Sequence, residues 1–255
     1  MFQKLNQMVF FFAPGQYFYL PWIVYSETLS LSQNQLLILY FQRHDGDAAT
    51  IEDWLQVFED STGRDLSQFK NWYTQAGTPE VSVTETYAEG EFQLTFSQKT
   101  PATPGQIEKD PKVIPIALGL LSPCGQELLP TQILELNQPQ QSFTFASSKR
   151  PIASILREFS APILLKHTQN DATKAFLLAH DPDPFNKWQA ARTLAVESLK
   201  ELAQHNQAPA LEFLDALQAV ASGAPSVGIK VGKNLNLMMG WDETLGLSGL
   251  QALFP

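Results

Sequence analysis

The apolar residues of this 255-residue chain change their spacing twice, and that double change limits the folds open to it. Up to Pro79 they recur every three to four residues, as on a helix with one buried face. From Glu80 they alternate: Val81, Val83 and Tyr87 share one side, and Ser82, Thr84 and Thr86 the other. After His167 the helical period returns. The fold class that follows is an α+β multi-domain chain, with an α-helical segment, an antiparallel β-sandwich and a second α-helical segment. The sandwich is expected to be antiparallel because the strands follow at short intervals with no helix between them, whereas parallel strands need long crossovers.

The elements follow from local signals. Gln35 to Gln42 reads as the last helix of a larger unit, closed by Arg43-His44-Asp45-Gly46. Thr50 caps the next helix, with Asp53 at its third position, near the positive end of the dipole. Ile51, Trp54, Leu55 and Phe58 form its buried stripe, and Gly63 ends it. A further helix is expected from Asp65, with Leu66, Phe69, Trp72, Tyr73 and Ala76 inward, Gly77 as a left-handed cap and Pro79 as its stop. Residues 80–98 read as a β-hairpin around Ala88-Glu89-Gly90-Glu91, with Glu85 breaking its apolar face. A Pro-rich charged loop at 99–112 leads to a nearly continuous apolar strand, Val113 to Leu121, and a turn at Ser122-Pro-Cys-Gly125. Short strands are expected at Gln132–Leu136, Ser142–Ala146 and Ala161–Lys166. Helices then occupy Ala172–His180, Phe185–Gln204 and Ala210–Ala221. The second should bury Phe185, Trp188, Ala191, Ala195, Leu199 and Leu202, and the third Leu211, Leu214 and Leu217.

Charge separates this body from its ends. Residues 1–42 contain only Lys4 and Glu27, and residues 223–255 only Lys230, Lys233, Asp242 and Glu243, so the formal net charge of −9 belongs to the middle. An acidic chain lacks the basic face a nucleic-acid binder needs. The apolar stretches Met8–Ala13 and Tyr17–Tyr25 are broken by Pro14 and Pro21, short of the roughly 18 to 20 residues of a membrane-spanning helix. With one basic residue, Lys4, and no clear cleavage site, the start makes a poor signal peptide. The Asn-x-Ser/Thr acceptor is also absent, and the expected location is cytoplasmic. Gly228-Ile-Lys-Val-Gly232-Lys233 has the look of a phosphate loop. It is one residue short between its glycines, and Asn234 replaces the Ser or Thr that would ligate magnesium.

No catalytic, cofactor-binding or metal-binding residue is assigned. The histidines are His44, His167, His180 and His205, and none has a second His at i+4, so the His-Glu-x-x-His zinc pair is missing. His44 with Asp45 and Asp47 reads as a turn, since an EF-hand would need an oxygen ligand where Ala49 stands. His180 with Asp181 and Asp183 reads as a helix end followed by an Asp-Pro turn rather than an acid–base set. Cys124, the single cysteine, lies in a tight turn with no base near it in sequence, and a disulfide within the chain is excluded. There is no Gly-x-Ser-x-Gly elbow. Trp54, Trp72 and Trp188 lie on helical stripes and read as core.

Several ordered motifs carry a resemblance. Leu39-Tyr-Phe-Gln-Arg-His-Asp-Gly-Asp-Ala-Ala-Thr50, Glu52-Asp-Trp, Glu59-Asp-Ser-Thr-Gly-Arg-Asp-Leu66 and Phe69-Lys-Asn-Trp-Tyr-Thr-Gln-Ala-Gly-Thr-Pro79 come first. Lys99-Thr-Pro-Ala-Thr-Pro-Gly105, Ile114-Pro-Ile-Ala-Leu-Gly-Leu-Leu121, Phe143-Thr-Phe, Phe159-Ser-Ala-Pro162 and Ala179-His-Asp-Pro-Asp-Pro-Phe-Asn-Lys-Trp188 follow. Over residues 39–222 the chain resembles the bacterial-type aminopeptidase N (alanyl aminopeptidase) family of zinc metallopeptidases. The resemblance implies a partial catalytic domain at 37–78, a whole immunoglobulin-like sandwich at 79–166 and the start of a C-terminal helical domain at 167–222. Residues 1–36 and 223–255 would be a leader, poorly ordered or a peripheral helix, and a tail foreign to the family.

The family's zinc ligands, its catalytic Glu, its Gly-Ala-Met-Glu-Asn motif and its tyrosine lie upstream of the matched region, so none is carried over. The expectation is a fragment or truncated form of a zinc-dependent aminopeptidase that is inactive alone. Zinc and peptide substrates belong to the intact enzyme, and the missing catalytic domain is the partner to look for. The helix stripe over 51–76 should then expose an apolar patch. A catalytically inactive sandwich-and-helix interaction module, and a secreted or membrane-attached variant, stand as alternatives.

Overall fold

The computed structural model describes residues 33–205 and 211–222. The leader, the tail and the loop at Gly228–Lys233 lie outside these residues. Two compact units divide the described chain: one takes the described residues up to Gly119 with Leu129–Pro151 and Ile155–Thr168, the other Leu120–Leu128, Ile152–Ser154 and the described residues from Gln169.

In the first unit, helix α1 (Gln33–His44) precedes α2 (Ile51–Thr62). Thr50 and Asp53 form a reciprocal capping box: the Asp53 amide donates to the Thr50 hydroxyl oxygen at 3.3 Å, and the Thr50 amide to the Asp53 carboxylate at 2.8 Å. Gly63 closes α2 at φ 69°, donating its amide to the Glu59 carbonyl. The buried residues of α2 are Leu55, Val57 and Phe58, with Trp54 half-buried and Ile51 exposed, so the expected stripe holds at Leu55 and Phe58 and fails at the start of the helix.

The helix expected from Asp65 is a series of tight turns ending in one short helix, α3 (Asn71–Thr74). Amides of Asn71, Trp72 and Tyr73 bond carbonyls three residues back, on Gln68, Phe69 and Lys70. Leu66, Phe69 and Trp72 are buried as read, Tyr73 is half-buried, and Ala76 is exposed. Gly77 has φ 97° but follows the helix end at Gln75 rather than capping it. The apolar patch expected over 51–76 is not present: Leu55, Phe58, Leu66, Phe69 and Trp72 are all buried.

The sandwich contains β1 (Glu80–Ala88), β2 (Glu91–Lys99), β3 (Ile114–Leu121), β4 (Glu127–Leu136), β5 (Gln140–Ala146), β6 (Ile152–Ile155) and β7 (Leu164–His167). One sheet has the order β5-β2-β1-β7 and the other β4-β3-β6. Strands β1 and β2 pair antiparallel around a two-residue turn in which Glu89 (φ 53°) and Gly90 (φ 82°) are both left-handed, as a type I′ turn requires. Strand β5 joins β2 antiparallel, aligning Phe143 with Leu94 and Phe145 with Phe92. Every residue of β3 is buried, which explains its unbroken apolar run.

Two features depart from the sequence reading. Strand β6 lies in a stretch to which the sequence reading assigned no element. Strands β1 and β7 are parallel, pairing Glu80 with Leu164 through Val83 with His167, so the rest of the sandwich serves as their crossover.

In the second unit, α4 (Asp171–His180), α5 (Pro184–His205) and α6 (Leu211–Ser222) pack around Leu177, Leu178, Ala190, Ala191, Leu194, Phe213 and Ala216. Leu199 and Leu202, expected inside, are 53% and 38% exposed, and Leu214 is 37% exposed. Phe213 and Ala216 form the buried face of α6 in its place, with Leu217 packed partly against it.

Candidate functional site

The turn after β3 is held by its own backbone. The Gly125 amide donates to the Ser122 carbonyl at 2.9 Å, the Ser122 amide to the Gln126 carbonyl at 2.8 Å, and the Gln126 amide to the Ser122 hydroxyl at 3.0 Å. Cys124 is exposed on this turn, its Sγ 3.0 Å from the Ser122 Oγ. Gly125 has φ 84°, and a Cβ there would stand 2.8 Å from His180 Nδ1. Folding therefore lays the turn that carries Cys124 against His180, which sequence reasoning kept apart. The His180 ring also rests on Phe176, with centroids 4.7 Å apart.

The adjacent carboxylates do the work of a helix junction. The Asp181 amide ends α4 on the Leu177 carbonyl at 2.9 Å. Asp181 Oδ1 accepts from the Asp183 amide at 3.0 Å, and Asp183 Oδ1 from the Asn186 amide at 2.7 Å, so Asp183 caps α5 with Pro184 in its first turn. Asn186 Nδ2 donates in turn to Ser154 Oγ at 2.8 Å. His180 is exposed, whereas Asp181 and Asp183 are buried against backbone.

His44, Asp45 and Asp47 likewise form a turn. The Asp45 amide donates to the Phe41 carbonyl, the Asp47 amide to the His44 carbonyl, and Gly46 has φ 86°. Of the tryptophans, Trp72 is buried and donates Nε1–H to the Val113 carbonyl at 2.7 Å. Trp54 is half-buried, edge-on to Tyr40 and Phe58. Trp188 is also half-buried, beside Phe185.

Three polar clusters in the first unit escaped the sequence reading. Lys112, at the end of the charged loop, is 1% exposed. Its Nζ donates to the Gln75 carbonyl at 2.9 Å and lies 4.8 Å from the Trp72 ring centre. Burial, with Lys109 as the lesser cause, pushes this amine down to about 8. Lys109 donates to the carbonyls of Ala76 and Pro101 and to the Thr103 hydroxyl, and Gln106 bonds the Ala76 amide and Thr74 carbonyl. The clue was the place of Lys112 directly before an unbroken apolar strand.

The second cluster explains Glu85 on an otherwise apolar face. Its Oε1 lies 2.8 Å from His167 Nε2, and its Oε2 accepts from Arg150 at 3.1 Å. Burial pushes the Glu85 carboxyl up, but the bonds to His167 and Arg150 outweigh it and hold the group below the usual carboxylate range.

The third is Arg157, 2% exposed, in a segment whose Leu156, Glu158 and Phe159 are all left-handed. Its guanidinium lies against Gly119, where a Cβ would meet Cζ at 2.1 Å, and it donates to Thr131 Oγ1 at 2.8 Å. Next to it, the buried Ser160 hydroxyl accepts from the Ala117 amide at 2.9 Å and donates to the Pro115 carbonyl at 3.0 Å.

These clusters fasten backbone. Among the described residues, no group of three or more His, Cys, Asp or Glu side chains is placed to hold a metal ion, so they do not fit a zinc site. No helix among them is long and apolar enough to cross a membrane.

Residues 77–168 match a family described as a domain of unknown function, DUF3458, with an Ig-like fold, and residues 171–226 match its companion, DUF3458_C, of ARM repeats. Aminopeptidase N of Escherichia coli (strain K12) is 39% identical over 198 residues, covering 71% of this chain and 23% of that protein. Aminopeptidase N of Caulobacter vibrioides is 46% identical over 160 residues, covering 62% and 18%. The crystal structure of Legionella pneumophila aminopeptidase A in complex with aspartic acid matches with a TM-score of 0.65 at 28% identity, covering 73% of this chain and 22% of that one. The chain thus spans less than a quarter of the length of these relatives.

Proposed function

We propose, from the premise that the chain belongs through residues 77–226 to the aminopeptidase N-type proteins, that it supplies the joining sandwich and first array helices of such an enzyme and no catalytic group. The observation that carries this reading is the order of the two domain matches, Ig-like and then ARM, in a chain that covers 23% of its Escherichia coli relative. Removal of N-terminal residues from peptides would belong to the whole enzyme. Zinc is the metal the resemblance implies for that enzyme, and no step of its reaction is assigned to the residues described above. Their polar clusters support a structural role, because they hold loops and strand ends in place. The partner to expect is a catalytic domain of the same family.

The test is direct. The purified chain should release no aniline from an alanyl-anilide substrate and should hold no stoichiometric zinc after dialysis. Tight one-to-one zinc with turnover overturns the proposal.

A further inference from the structure

Helix α5 carries apolar residues on two sides. Ala190, Ala191 and Leu194 are buried in the core shared with α4 and α6. Val196 and Leu199 follow Leu194 by two and five residues, which at about 100° per residue sets both on the opposite side of the helix. Leu202 comes one turn after Leu199, and all three are exposed, Leu199 at 53%. A helix that is apolar on two sides ordinarily packs between two neighbours. In arrays of stacked helices, an apolar side left open marks a place where another segment stacks.

The chain itself supplies a segment of matching chemistry. After α6 ends at Ser222, residues 235–241 read Leu-Asn-Leu-Met-Met-Gly-Trp, five apolar side chains in seven and no charge. We propose that this segment docks reversibly on the open side of α5, along Val196, Leu199 and Leu202. The thirteen residues from Ser222 to Leu235 span up to about 43 Å when extended. Helix α5, at 22 residues, is about 33 Å long, and α6 shares its core, so the segment can reach any point along it. The charges agree as well. Beside the open side, the exposed Glu197 and Glu201 outnumber Lys200, and the segment is preceded by Lys230 and Lys233. A tether of this length holds the segment at an effective concentration on the order of millimolar. A contact too weak to join separate molecules therefore forms within one, and still gives way to a small apolar dye.

The test follows peroxide oxidation of Met238 and Met239 by mass spectrometry in the whole chain, with Met8 as the reference outside the segment. In Val196→Lys/Leu199→Lys the two methionines should oxidise about threefold faster relative to Met8 than in wild type, as expected if docking holds about two-thirds of the molecules. Equal rates in the two chains leave the open side to another partner and overturn the proposal. A difference that disappears as wild type is diluted places the segment on a second copy and overturns it equally. If that variant does not fold, Leu235→Asp/Leu237→Asp is made instead, whose changes lie outside the core of α4, α5 and α6. Its apolar dye fluorescence should exceed that of wild type, because the side of α5 along Leu199 is uncovered. Fluorescence equal to or below wild type overturns the docking.

Discussion

Lys112 shows how much a single side chain can depend on its surroundings. Unfolded, its amine keeps a proton up to the ordinary lysine value of 10.5, and folded only up to about 8. Between those values the unfolded chain holds more protons, so this group's contribution to stability rises with pH across the window. Below it, the buried cation is a net cost that the Gln75 carbonyl and the Trp72 ring only partly offset. Wild type minus Lys112→Met should therefore gain on the order of 1 kcal/mol in urea stability from pH 8 to pH 10. A difference that stays flat or falls removes this account. The sequence placed Lys112 in a solvated loop because charge and proline content describe a segment's average, whereas burial is decided residue by residue. Glu85 is the opposite case: its break in the apolar alternation was visible, but its partners His167 and Arg150 lie far along the chain.

Among the elements, those with signals in adjacent residues were legible. The cap, stripe and stop of α2 all fall within fifteen residues, and the reciprocal Thr50–Asp53 box is as the side chains predict. Thr50→Ala should cost about 1 kcal/mol in denaturant unfolding, and Thr50→Ser, which keeps the capping oxygen, markedly less. Equal losses in the two variants exclude the cap as the cause. The hairpin of β1 and β2 was equally plain. The segment from Asp65 was misread because a period of 3.0 and one of 3.6 place apolar residues almost alike over so short a span. Strand β6 was missed because four residues flanked by a left-handed Leu156 carry too little alternation to register. In α5 Ala191 and Ala195 face the core as read, but Ala190 and Leu194 are buried beside them and Leu199 and Leu202 turn outward, because the packing partners are α4 and α6.

At the scale of the molecule, the order of helices, sandwich and helices followed from periodicity alone. The parallel closure of the sandwich did not, since pairing between its first and last strands leaves no local trace. The distribution of exposed apolar residues also needed the structure. They do not gather on residues 51–76, and in the second unit Val196, Leu199, Leu202 and Leu214 are exposed. A hydrophobic dye should bind there. Replacing Val196 and Leu199 together by Lys should lower the dye fluorescence while leaving the thermal midpoint within a few degrees, because neither side chain is buried. Unchanged fluorescence would place the dye site elsewhere.

The parallel pair of β1 and β7 also has a mechanical consequence. The chain enters the sandwich at the start of β1 and leaves it at the end of β7, and these ends lie at opposite tips of one ladder because the strands run the same way. Tension drawn through the chain across this domain therefore pulls the two strands lengthwise past each other. Their four register pairs share that load together rather than parting one at a time, as they would if peeled from one end.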